Sequence, residues 1–291
     1  MDRFTIRDIE NLCRIKAHTL RIWEQRYDFF QAKRKESLHR FYDSEDLRLL
    51  LQVAFLYHGG WKVSRIAALG AAGLNAAVQG ALQEPTSDEQ DVVMLLSSAS
   101  VFDEPAFRSR LDAIVKQKGL EHAVLQVCFP FLQRVGDLWL TNHVVPAQEH
   151  FSSYLIQHKI IAETDSLPRV EPKHPPVLLF TPRGEHHELP LLFLNYLLRF
   201  YGWPVIYLGT NQDVLRLPEA IEAQAEVLYL HLLTNLTGDL PDDYFDTLCK
   251  RYPAKTIVAS GRAVHDAQRS FHNLVLLKSD EAITRFVRNG L

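Results

Sequence analysis

The sequence has little cysteine: three residues in 291, far apart at Cys13, Cys128 and Cys249. This spacing excludes a disulfide framework and a metal-binding CxxC pair. No apolar run reaches the roughly 18 residues that a membrane-spanning helix needs. The start, Met1-Asp2-Arg3-Phe4, shows no charged segment followed by an apolar one, as a signal peptide would. We therefore expect a cytoplasmic protein with no membrane partner.

What is present indicates a folded chain of uneven charge. Hydrophobic residues make up 47% and charged residues 23% of the sequence, which is typical of globular proteins. The first 70 residues carry a net positive charge and the remainder a net negative one. A basic head on an acidic body is typical of a nucleic-acid-binding module joined to a second function. Unevenly distributed, solvated charges would give the same pattern.

The head is predicted to be a winged helix-turn-helix. Thr5, with Asp8 three residues later, predicts a capped first helix. A second helix is predicted over 17–27, and the basic segment 33–42 suits a two-stranded wing. The run Asp43-Ser44-Glu45-Asp46 predicts the cap of a helix through Tyr57 that Gly59 and Gly60 end, and a short helix follows over 62–69.

Two further regions follow. Residues 75–166 have few glycines and fit a bundle of four antiparallel helices, at about 87–98, 104–118, 120–136 and 145–164. A segment with four prolines, 167–176, is predicted to be a linker.

The last region alternates strands with helices. Five apolar runs predict strands over 177–181, 205–208, 227–232, 256–260 and 274–277. Helical patterns lie at 188–201, 214–223, 241–251, 263–269 and 280–288. This alternation predicts a Rossmann-like, doubly wound five-stranded parallel sheet, whose ligand loops follow Thr181, Leu208, Leu232 and Ser260. The fold class is thus mixed α and α/β, with domains over 1–74, 75–166 and 175–291.

The head resembles the MerR family of winged-helix transcriptional regulators. The resemblance lies in the runs Ala17-His18-Thr19-Leu20-Arg21-Ile22-Trp23-Glu24-Gln25-Arg26-Tyr27 and Arg40-Phe41-Tyr42-Asp43-Ser44-Glu45-Asp46-Leu47. It implies double-stranded operator DNA as partner and a homodimer or higher homo-oligomer. The implied DNA contacts are His18, Thr19, Arg21, Arg26 and Tyr27 of the second helix, and Lys33, Arg34, Arg40 and Tyr42 of the wing. Trp23 is predicted to be a core residue, and Asp28 stands where the family usually has glycine.

The body resembles the cobalamin-dependent members of that family, including light-sensing repressors. Trp139 is followed after nine residues by Glu149-His150, and the first α/β loop reads Gly184-Glu185-His186-His187-Glu188-Leu189-Pro190. The resemblance implies adenosylcobalamin between the bundle and the sheet domain. Trp139 would cover the corrin, Glu149 and His150 would flank the adenosyl group, and His187 would be the cobalt ligand. Glu185 would orient the His187 imidazole.

The sequence departs from the cofactor pattern at several positions. Pro190 and Ser260 replace glycines, and His231 replaces a serine that would leave room for the buried nucleotide tail. Leu140 stands where some light-sensing members have a second histidine. Two versions of a DNA-binding regulator therefore stay open. One senses cobalamin, and the other is independent of the cofactor and uses the degenerate sensor for oligomerisation or protein contacts.

Other interpretations of the body have less support. His186 and His231 suit packing or surface roles, and a zinc site from Glu185, His186 and His187 is disfavoured because sequence neighbours rarely converge on one metal. An enzyme, such as a cobalamin-dependent methyl carrier or a small hydrolase, is a remote alternative. The sequence has no nucleophile elbow, no Gly-rich phosphate loop and no paired catalytic carboxylates. We therefore predict a non-enzyme.

Overall fold

The structure is a computed structural model, which describes residues 4–27, 30–34, 40–140, 146–168, 171–234 and 241–290. Asp28 lies outside these residues. The chain divides into two compact units, Met1–Ile156 and Gln157–Leu291, and each is described by itself. Across the described residues no helix is both long and apolar enough to cross a membrane.

The head has the predicted winged helix-turn-helix elements. They are the helices α1 (Ile6–Cys13), α2 (Ala17–Arg26) and α3 (Ser44–His58) and the antiparallel strands β1 (Lys33–Arg34) and β2 (Arg40–Phe41). A backbone bridge between Phe4 and Tyr42 extends the wing towards the chain start. The two-stranded wing and the helix that follows it confirm the head fold that the sequence predicts.

Both predicted helix caps form. The Thr5 backbone N–H donates to Asp8 Oδ2 at 2.6 Å, and the Asp8 N–H donates to Thr5 Oγ1 at 3.3 Å. At α3 the Asp43 N–H donates to Asp46 Oδ2 at 2.9 Å, and the Asp46 N–H donates to Asp43 Oδ1 at 3.1 Å. Each pair satisfies backbone donors that the first helical turn leaves without partners.

Two helices follow the head, and one of them was not predicted. These are α4 (Val63–Ala67) and α5 (Gly70–Ala81). Helix α5 runs across position 74/75, where the sequence suggests a domain boundary, and it contacts α3 and α4. Its segment is rich in alanine and glycine, so its apolar stripe is only the buried pair Leu74 and Val78, one turn apart.

The helical bundle comprises the helices α6 (Asp88–Ser100), α7 (Glu104–Lys118), α8 (Leu120–His122), α9 (Phe129–Leu140) and α10 (Pro146–Asp165). The predicted single helix over 120–136 is composite, because a π-helical segment, Ala123–Cys128, joins α8 to α9. Pro130 lies two residues after the end of this segment. Its ring lacks an N–H and crowds the carbonyl four residues earlier, and a widened turn relieves that crowding.

The head and the bundle are joined by buried polar contacts within the first unit. Arg134 of α9 is 3% exposed and donates to the Leu12 carbonyl, the end of α1, at 3.2 Å. Its guanidinium also holds the Glu89 carboxylate of α6 with two hydrogen bonds of 2.8 and 2.5 Å. His58 Nε2 lies 2.7 Å from the neighbouring Cys13 carbonyl. Side chains of α9 and α3 thus satisfy carbonyls at the C-terminus of α1.

The second unit contains a five-stranded parallel sheet. Its strands are β3 (Val177–Pro182), β4 (Val205–Gln212), β5 (Val227–His231), β6 (Thr256–Ser260) and β7 (Leu274–Leu277). They lie in the order β4-β3-β5-β6-β7. The first strand, β3, therefore lies inside the sheet, with β4 added on one side of it and β5 on the other. Ligands of such sheets bind where the strand order reverses in this way, beyond the carboxyl ends of the strands. The predicted doubly wound sheet is confirmed.

Helices cover both faces of this sheet. They are α11 (Glu188–Phe200), α12 (Glu219–Glu222), α13 (Pro241–Arg251) and α14 (Asp280–Asn289). On one face Phe245 of α13 packs with Leu178 and Leu230, and on the other Phe286 of α14 packs against Tyr229, with ring centroids 5.5 Å apart.

Two predicted helices of this unit are wrong. The segment 214–223 is a 3₁₀ turn, Val214–Arg216, followed by the one-turn α12. Pro218 separates the two, because it has no N–H and keeps Leu217 extended. The segment 263–269 is instead a 3₁₀ turn, Arg262–Asp266. Its Ala263 N–H donates across the sheet end to Leu232 O at 3.1 Å, a bond that draws the segment away from a regular helix.

Candidate functional site

The first candidate surface is the outer face of α2. Leu20 and Trp23 are buried at 1% and 5% exposure, and the Trp23 ring contacts Tyr57 edge-on with centroids 5.0 Å apart. The predicted core role of Trp23 is confirmed. The exposed face of this helix carries His18, Arg21, Ile22, Gln25 and Arg26. Aromatic packing thus holds the inner face of α2 against the head, and the outer face of the helix presents basic and amide groups.

The wing differs from the expectation at Tyr42. Its side chain is 1% exposed and packs near Phe30, with ring centroids 6.3 Å apart. Tyr42 is therefore a core residue of the head, because the wing's return strand turns this ring inward, and we leave it out of the proposed DNA contacts.

Lys33 and the wing arginines are placed by the strands. The Lys33 ammonium pairs with Asp43 and lies 3.2 Å from Asp46 Oδ2, so a phosphate would compete with these two carboxylates. Arg34 and Arg40 pair through their backbones across the wing. Their side chains lie outside the described part of the chain.

The second candidate site is the loop after β3. Glu185 is 0% exposed, and its Oε1 lies 2.5 Å from His187 Nδ1 and accepts a hydrogen bond from the His187 N–H at 3.1 Å. The structure thus brings together the two α/β residues that the sequence singled out. The His187 side chain is 54% exposed. With Nδ1 facing the carboxylate, the ring keeps Nε2 for a ligand on its outer side.

The other oxygen of Glu185 ties this loop to the end of β5. Oε2 accepts hydrogen bonds from the Leu233 N–H at 2.9 Å, the Thr234 N–H at 2.8 Å and the Thr234 hydroxyl at 3.0 Å. Burial by itself would raise the pKa of Glu185, but the bonds from Thr234 and His187 outweigh it and lower the pKa to about 2. The carboxylate is therefore ionised at neutral pH and is a strong acceptor for the imidazole.

Two further side chains shape the loop. The Thr181 hydroxyl donates to the Glu185 carbonyl at 2.7 Å and accepts from the Asn211 N–H at 3.0 Å. Asn211, in the left-handed conformation with φ 59°, accepts from the Gly184 N–H at 2.8 Å. The backbone around Glu185 is thus fixed from β3 and β4. Sequence reasoning missed Thr181 and Asn211 as loop anchors, since no local pattern signals a contact 30 residues apart.

A chain of buried hydrogen bonds lies at the ends of β5 and β6. Tyr229 OH donates to Ser260 Oγ at 3.0 Å, and His231 Nδ1 lies 2.9 Å from the same oxygen. Tyr229 and Ser260 are 0% exposed and His231 is 7% exposed. His231 Nε2 has no hydrogen-bond partner among the described residues. Burial lowers the pKa of His231 to about 4, so its ring is neutral at pH 7.

Gly261 is required by a close backbone approach at this point. Its φ is +100°, and a Cβ placed on it would lie 2.2 Å from the Leu232 carbonyl oxygen. The cofactor pattern has two adjacent glycines here, and the second, Gly261, is kept for this steric reason. The first has become Ser260, whose hydroxyl joins the buried chain.

The bundle residues of the predicted cofactor site lie in the first unit. Trp139 belongs to α9, and its side chain lies outside the described part of the structure. Glu149 and His150 lie in the first turn of α10, where His150 Nε2 is 3.5 Å from Glu149 Oε2 and the His150 side chain is 76% exposed. Both side chains are accessible to a ligand.

The structure gives a zinc site no support. No three His, Cys, Asp or Glu side chains within the described ranges converge on a common point. His186 is exposed beside His187, as its predicted surface role requires. All three cysteines are buried and unpaired as thiols.

These features define a class of protein: a winged-helix DNA-binding regulator joined to a helical bundle and a Rossmann-like ligand domain. Comparison with known proteins supports this class. Residues 4–71 match the MerR HTH family of regulatory proteins, and residues 94–162 match the B12 binding domain. The second match covers most of the helical bundle. The chain is therefore a DNA-binding transcriptional regulator whose head is similar to the MerR HTH family and whose bundle is similar to B12 binding domains, as the sequence predicts.

Individual relatives point the same way. The chain is 26% identical over 246 residues to the HTH-type transcriptional repressor CarH of Myxococcus xanthus, covering 82% of this chain and 81% of the repressor. It is 28% identical over 232 residues to the repressor CarA of the same organism, covering 77% and 75%. Both relatives are named as repressors and not as enzymes. The monomethylamine corrinoid protein of Methanosarcina barkeri shares the fold, with a TM-score of 0.52 and 10% identity over 70% of this chain and 100% of that one.

Proposed function

We propose that this protein is a cytoplasmic, sequence-specific transcriptional repressor that binds a near-palindromic operator as a homodimer or higher homo-oligomer. We further propose that its body responds to a corrinoid. The observation that carries the second part is the Glu185–His187 pair, an ionised buried carboxylate holding one ring nitrogen of an accessible imidazole. Paired His and carboxylate groups of this kind are typical of metal-ligating histidines.

The DNA-binding part rests on the exposed basic face of α2. Arg21 and Arg26 are exposed there while the opposite face is buried. We expect Arg21→Ala to weaken operator binding, because a lost phosphate contact removes both attraction and counterion release. Gel shifts at several salt concentrations measure this, and the slope of log affinity against log salt should fall by about one unit. Arg108→Ala, an exposed arginine of α7, is the control.

The loop after β3 has two residues that could hold a corrinoid. His187 would hold the cobalt, and Glu185 would keep its imidazole in the required tautomer and orientation. A bound corrinoid would supply a light-sensitive cobalt–carbon bond when it carries an adenosyl group. Trp139, Glu149 and His150 stay proposed contacts of that group.

The nucleotide-tail half does not fit. The position expected to leave room for the tail holds the buried His231 imidazole, which is hydrogen-bonded to Ser260 and backed by Tyr229. Inserting extra atoms into such packing typically costs about 1–3 kcal/mol, or roughly one to two powers of ten in affinity. We therefore propose that the wild-type protein binds adenosylcobalamin weakly or not at all, and that His231→Ser improves binding.

Absorption spectra of the purified protein titrated with adenosylcobalamin in the dark test this proposal. We expect a weak or absent spectral change for wild type and a stronger one for His231→Ser. His187→Ala in the His231→Ser background should abolish the ligated-cobalt spectrum, since the variant lacks the imidazole that Glu185 orients. Illumination of the loaded variant then tests the response to light.

Two outcomes decide between the versions of the proposal. Tight, stoichiometric binding by wild type would overturn the steric block at His231. Absence of binding by the His231→Ser, Pro190→Gly double variant would overturn the corrinoid role. In that event the cofactor-independent version holds, in which the body serves oligomerisation or protein contacts. Addition of adenosylcobalamin would then leave operator binding by wild type unchanged.

A further inference from the structure

The imidazole of His231 has one ring nitrogen that makes no hydrogen bond within the fold. The residue is the last of β5 and is 7% exposed. Its Nδ1 lies 2.9 Å from Ser260 Oγ, whereas Nε2 has no partner among the residues that the structure describes. Buried polar atoms are rarely left in this state, because the loss of their hydration is then uncompensated. Such an atom points to a partner that the chain itself does not supply.

The neighbouring hydroxyl groups determine which nitrogen of this ring carries the proton. Tyr229 OH donates to Ser260 Oγ at 3.0 Å, and burial raises the pKa of Tyr229, so the phenol keeps its proton at neutral pH. The Ser260 hydroxyl accepts this bond and has a single proton of its own, which it donates to His231 Nδ1. A neutral imidazole that accepts at Nδ1 carries its proton on Nε2. We therefore assign the buried atom without a partner as an N–H donor.

This donor lies at the same strand ends as the Glu185–His187 pair. Leu233 and Thr234, two and three residues after His231, donate their N–H groups to Glu185 Oε2 at 2.9 and 2.8 Å. Burial lowers the pKa of His231, and the charges of Glu185 and His187 act on that pKa as well. The three side chains therefore lie within electrostatic reach of one another, at the carboxyl ends of β3 and β5.

The charges around the donor select the kind of oxygen that it can bind. Glu185 is ionised, because hydrogen bonds lower its pKa to about 2, and its charge would repel a phosphate or carboxylate brought to His231. The His231 ring is neutral at pH 7 and offers no compensating charge. A carboxamide oxygen is neutral, and a corrinoid ring carries several carboxamides along its edge. The nucleotide tail of a corrinoid contains a phosphodiester, so charge as well as space opposes the tail at this point.

We propose that His231 donates its Nε2–H to a carboxamide oxygen of the ligand, and that this ligand is a corrinoid without a nucleotide tail. The residue is then both a barrier to the tail and a binding group for the ring. This inference rests on the proposed corrinoid response and names the class of corrinoid that the wild-type protein accepts.

Titration of the full-length protein with two corrinoids in the dark tests the proposal. They are adenosylcobalamin and adenosylcobinamide, which has the same ring and adenosyl group but no nucleotide. Absorption spectra and equilibrium dialysis give the two dissociation constants. We expect wild type to bind adenosylcobinamide at least tenfold more tightly, because the tail would overpack the buried ring of His231. His231→Ser should lose this preference, since the smaller side chain admits the tail.

A second variant, His231→Phe, separates the hydrogen bond from the bulk of the ring. Phenylalanine fills a similar volume but has no N–H. The variant should therefore still reject adenosylcobalamin, and it should bind adenosylcobinamide about fivefold less tightly than wild type. His174→Phe is the matched control, because His174 precedes β3 at the opposite end of the sheet and stacks on Trp203 with centroids 4.2 Å apart. It should keep both wild-type constants.

Nitrogen-15 NMR of histidine-labelled protein tests the tautomer without any corrinoid. The signals that are present in wild type and missing from His231→Ser should have the shifts of an Nε2–H ring. An Nδ1–H ring would overturn the inference. Urea unfolding confirms that each variant is folded.

The titrations distinguish failure of this inference from failure of the proposed corrinoid response. Equal affinity of wild type for the two corrinoids would overturn the inference, as would an unchanged affinity of His231→Phe for adenosylcobinamide. If the His231→Ser, Pro190→Gly double variant binds adenosylcobalamin while wild type binds neither corrinoid, only this inference fails. If the double variant and wild type bind neither corrinoid, the corrinoid response fails, and this inference fails with it.

Discussion

Individual side chains decide what the sheet end can accept. Tyr229, Ser260 and His231 form a continuous buried hydrogen-bonded chain at the ends of β5 and β6. A histidine in this place must be neutral, because a buried imidazolium with no acceptor for its second N–H would be costly. The substitution therefore has a consequence for stability as well as for ligand access.

The pKa of His231 predicts an acid-sensitive fold. Its pKa is about 4 in the folded protein, against an ordinary value of about 6.5 in the unfolded chain. Between these values only the unfolded state takes up the proton, so the free energy of unfolding falls as the pH drops from 6.5 to 4. We expect a loss of about 3 kcal/mol, measured by urea unfolding at several pH values.

Two variants isolate this contribution. His231→Ser should remove most of the slope in that window, whereas Tyr229→Phe disturbs the same hydrogen-bonded chain but keeps the imidazole and the slope. Glu185, whose pKa is lowered to about 2, loses its stabilising effect mainly below pH 4.5. An unchanged slope in His231→Ser would contradict the assignment to His231.

At the scale of elements, polar contacts at helix ends connect the head to the bundle. Helix α1 ends at Cys13, and its last carbonyls are bound by Arg134 from α9 and His58 from α3. Along the α3–α6 contact, Gln90 Nε2 donates to the Phe55 carbonyl at 3.1 Å. Helix α2 follows α1 directly. These bonds therefore link the orientation of α2 to that of the bundle.

Arg134→Ala should destabilise the first unit by about 3 kcal/mol. The substitution removes two charge-assisted hydrogen bonds from the Glu89 carboxylate, which keeps only His58 Nε2 at 3.7 Å, and it removes the buried donor of the Leu12 carbonyl. Urea unfolding measures the loss. The matched control is Arg108→Ala, whose exposed pair with Glu104 contributes at most about 0.5 kcal/mol. Equal, small effects of the two variants would show that the Arg134 contacts do not stabilise the fold.

Alanine substitutions at two glycines, Gly261 and Gly80, are expected to have opposite effects on stability. Gly261→Ala places a Cβ 2.2 Å from the Leu232 carbonyl oxygen at φ +100°, and strain plus displacement should cost about 3 kcal/mol or more. Gly80→Ala, in α5 with no atom within 4 Å of the new Cβ, should stabilise the protein by about 1 kcal/mol. Thermal unfolding distinguishes the two. A tolerated Gly261→Ala would contradict the described turn.

At the scale of the whole molecule, the second half of the proline-rich segment 167–176 makes specific contacts with the α/β unit. The Lys173 N–H donates to the Gly202 carbonyl at 3.0 Å, and the His174 ring stacks on Trp203 with centroids 4.2 Å apart. The second half of the segment is therefore anchored to the α/β unit. The boundaries 1–74, 75–166 and 175–291 stay a prediction, with α5 crossing the first of them.

Limited trypsin digestion should cut after Arg169 before it cuts after Lys173. The bonds of Lys173 and His174 hold their backbone against the second unit, and proteases need an extended, accessible segment. Mass spectrometry of the early fragments identifies the cut, and Arg169→Gln should suppress it. Early cleavage within 120–136 instead would contradict the helical bundle.

Much of the fold could be predicted because its signals are local. The caps at Thr5 and Asp43 join residues three apart, and the strands of the sheet are short apolar runs between turns. The exposed face of α2 has the same local origin, because its residues recur at helical spacing.

Neighbours along the chain were enough to predict the five strands, most of the helices, the class of the head and the Glu185–His187 pair, since each depends on a local pattern. Long-range packing determines that Tyr42 faces the core, that α5 forms, and that Arg134 binds the end of α1. It also decided that His231 meets Ser260 and that Glu185 meets Thr234, 29 and 49 residues away. Such contacts depend on how strands and helices pack, and no periodicity in the sequence carries that information.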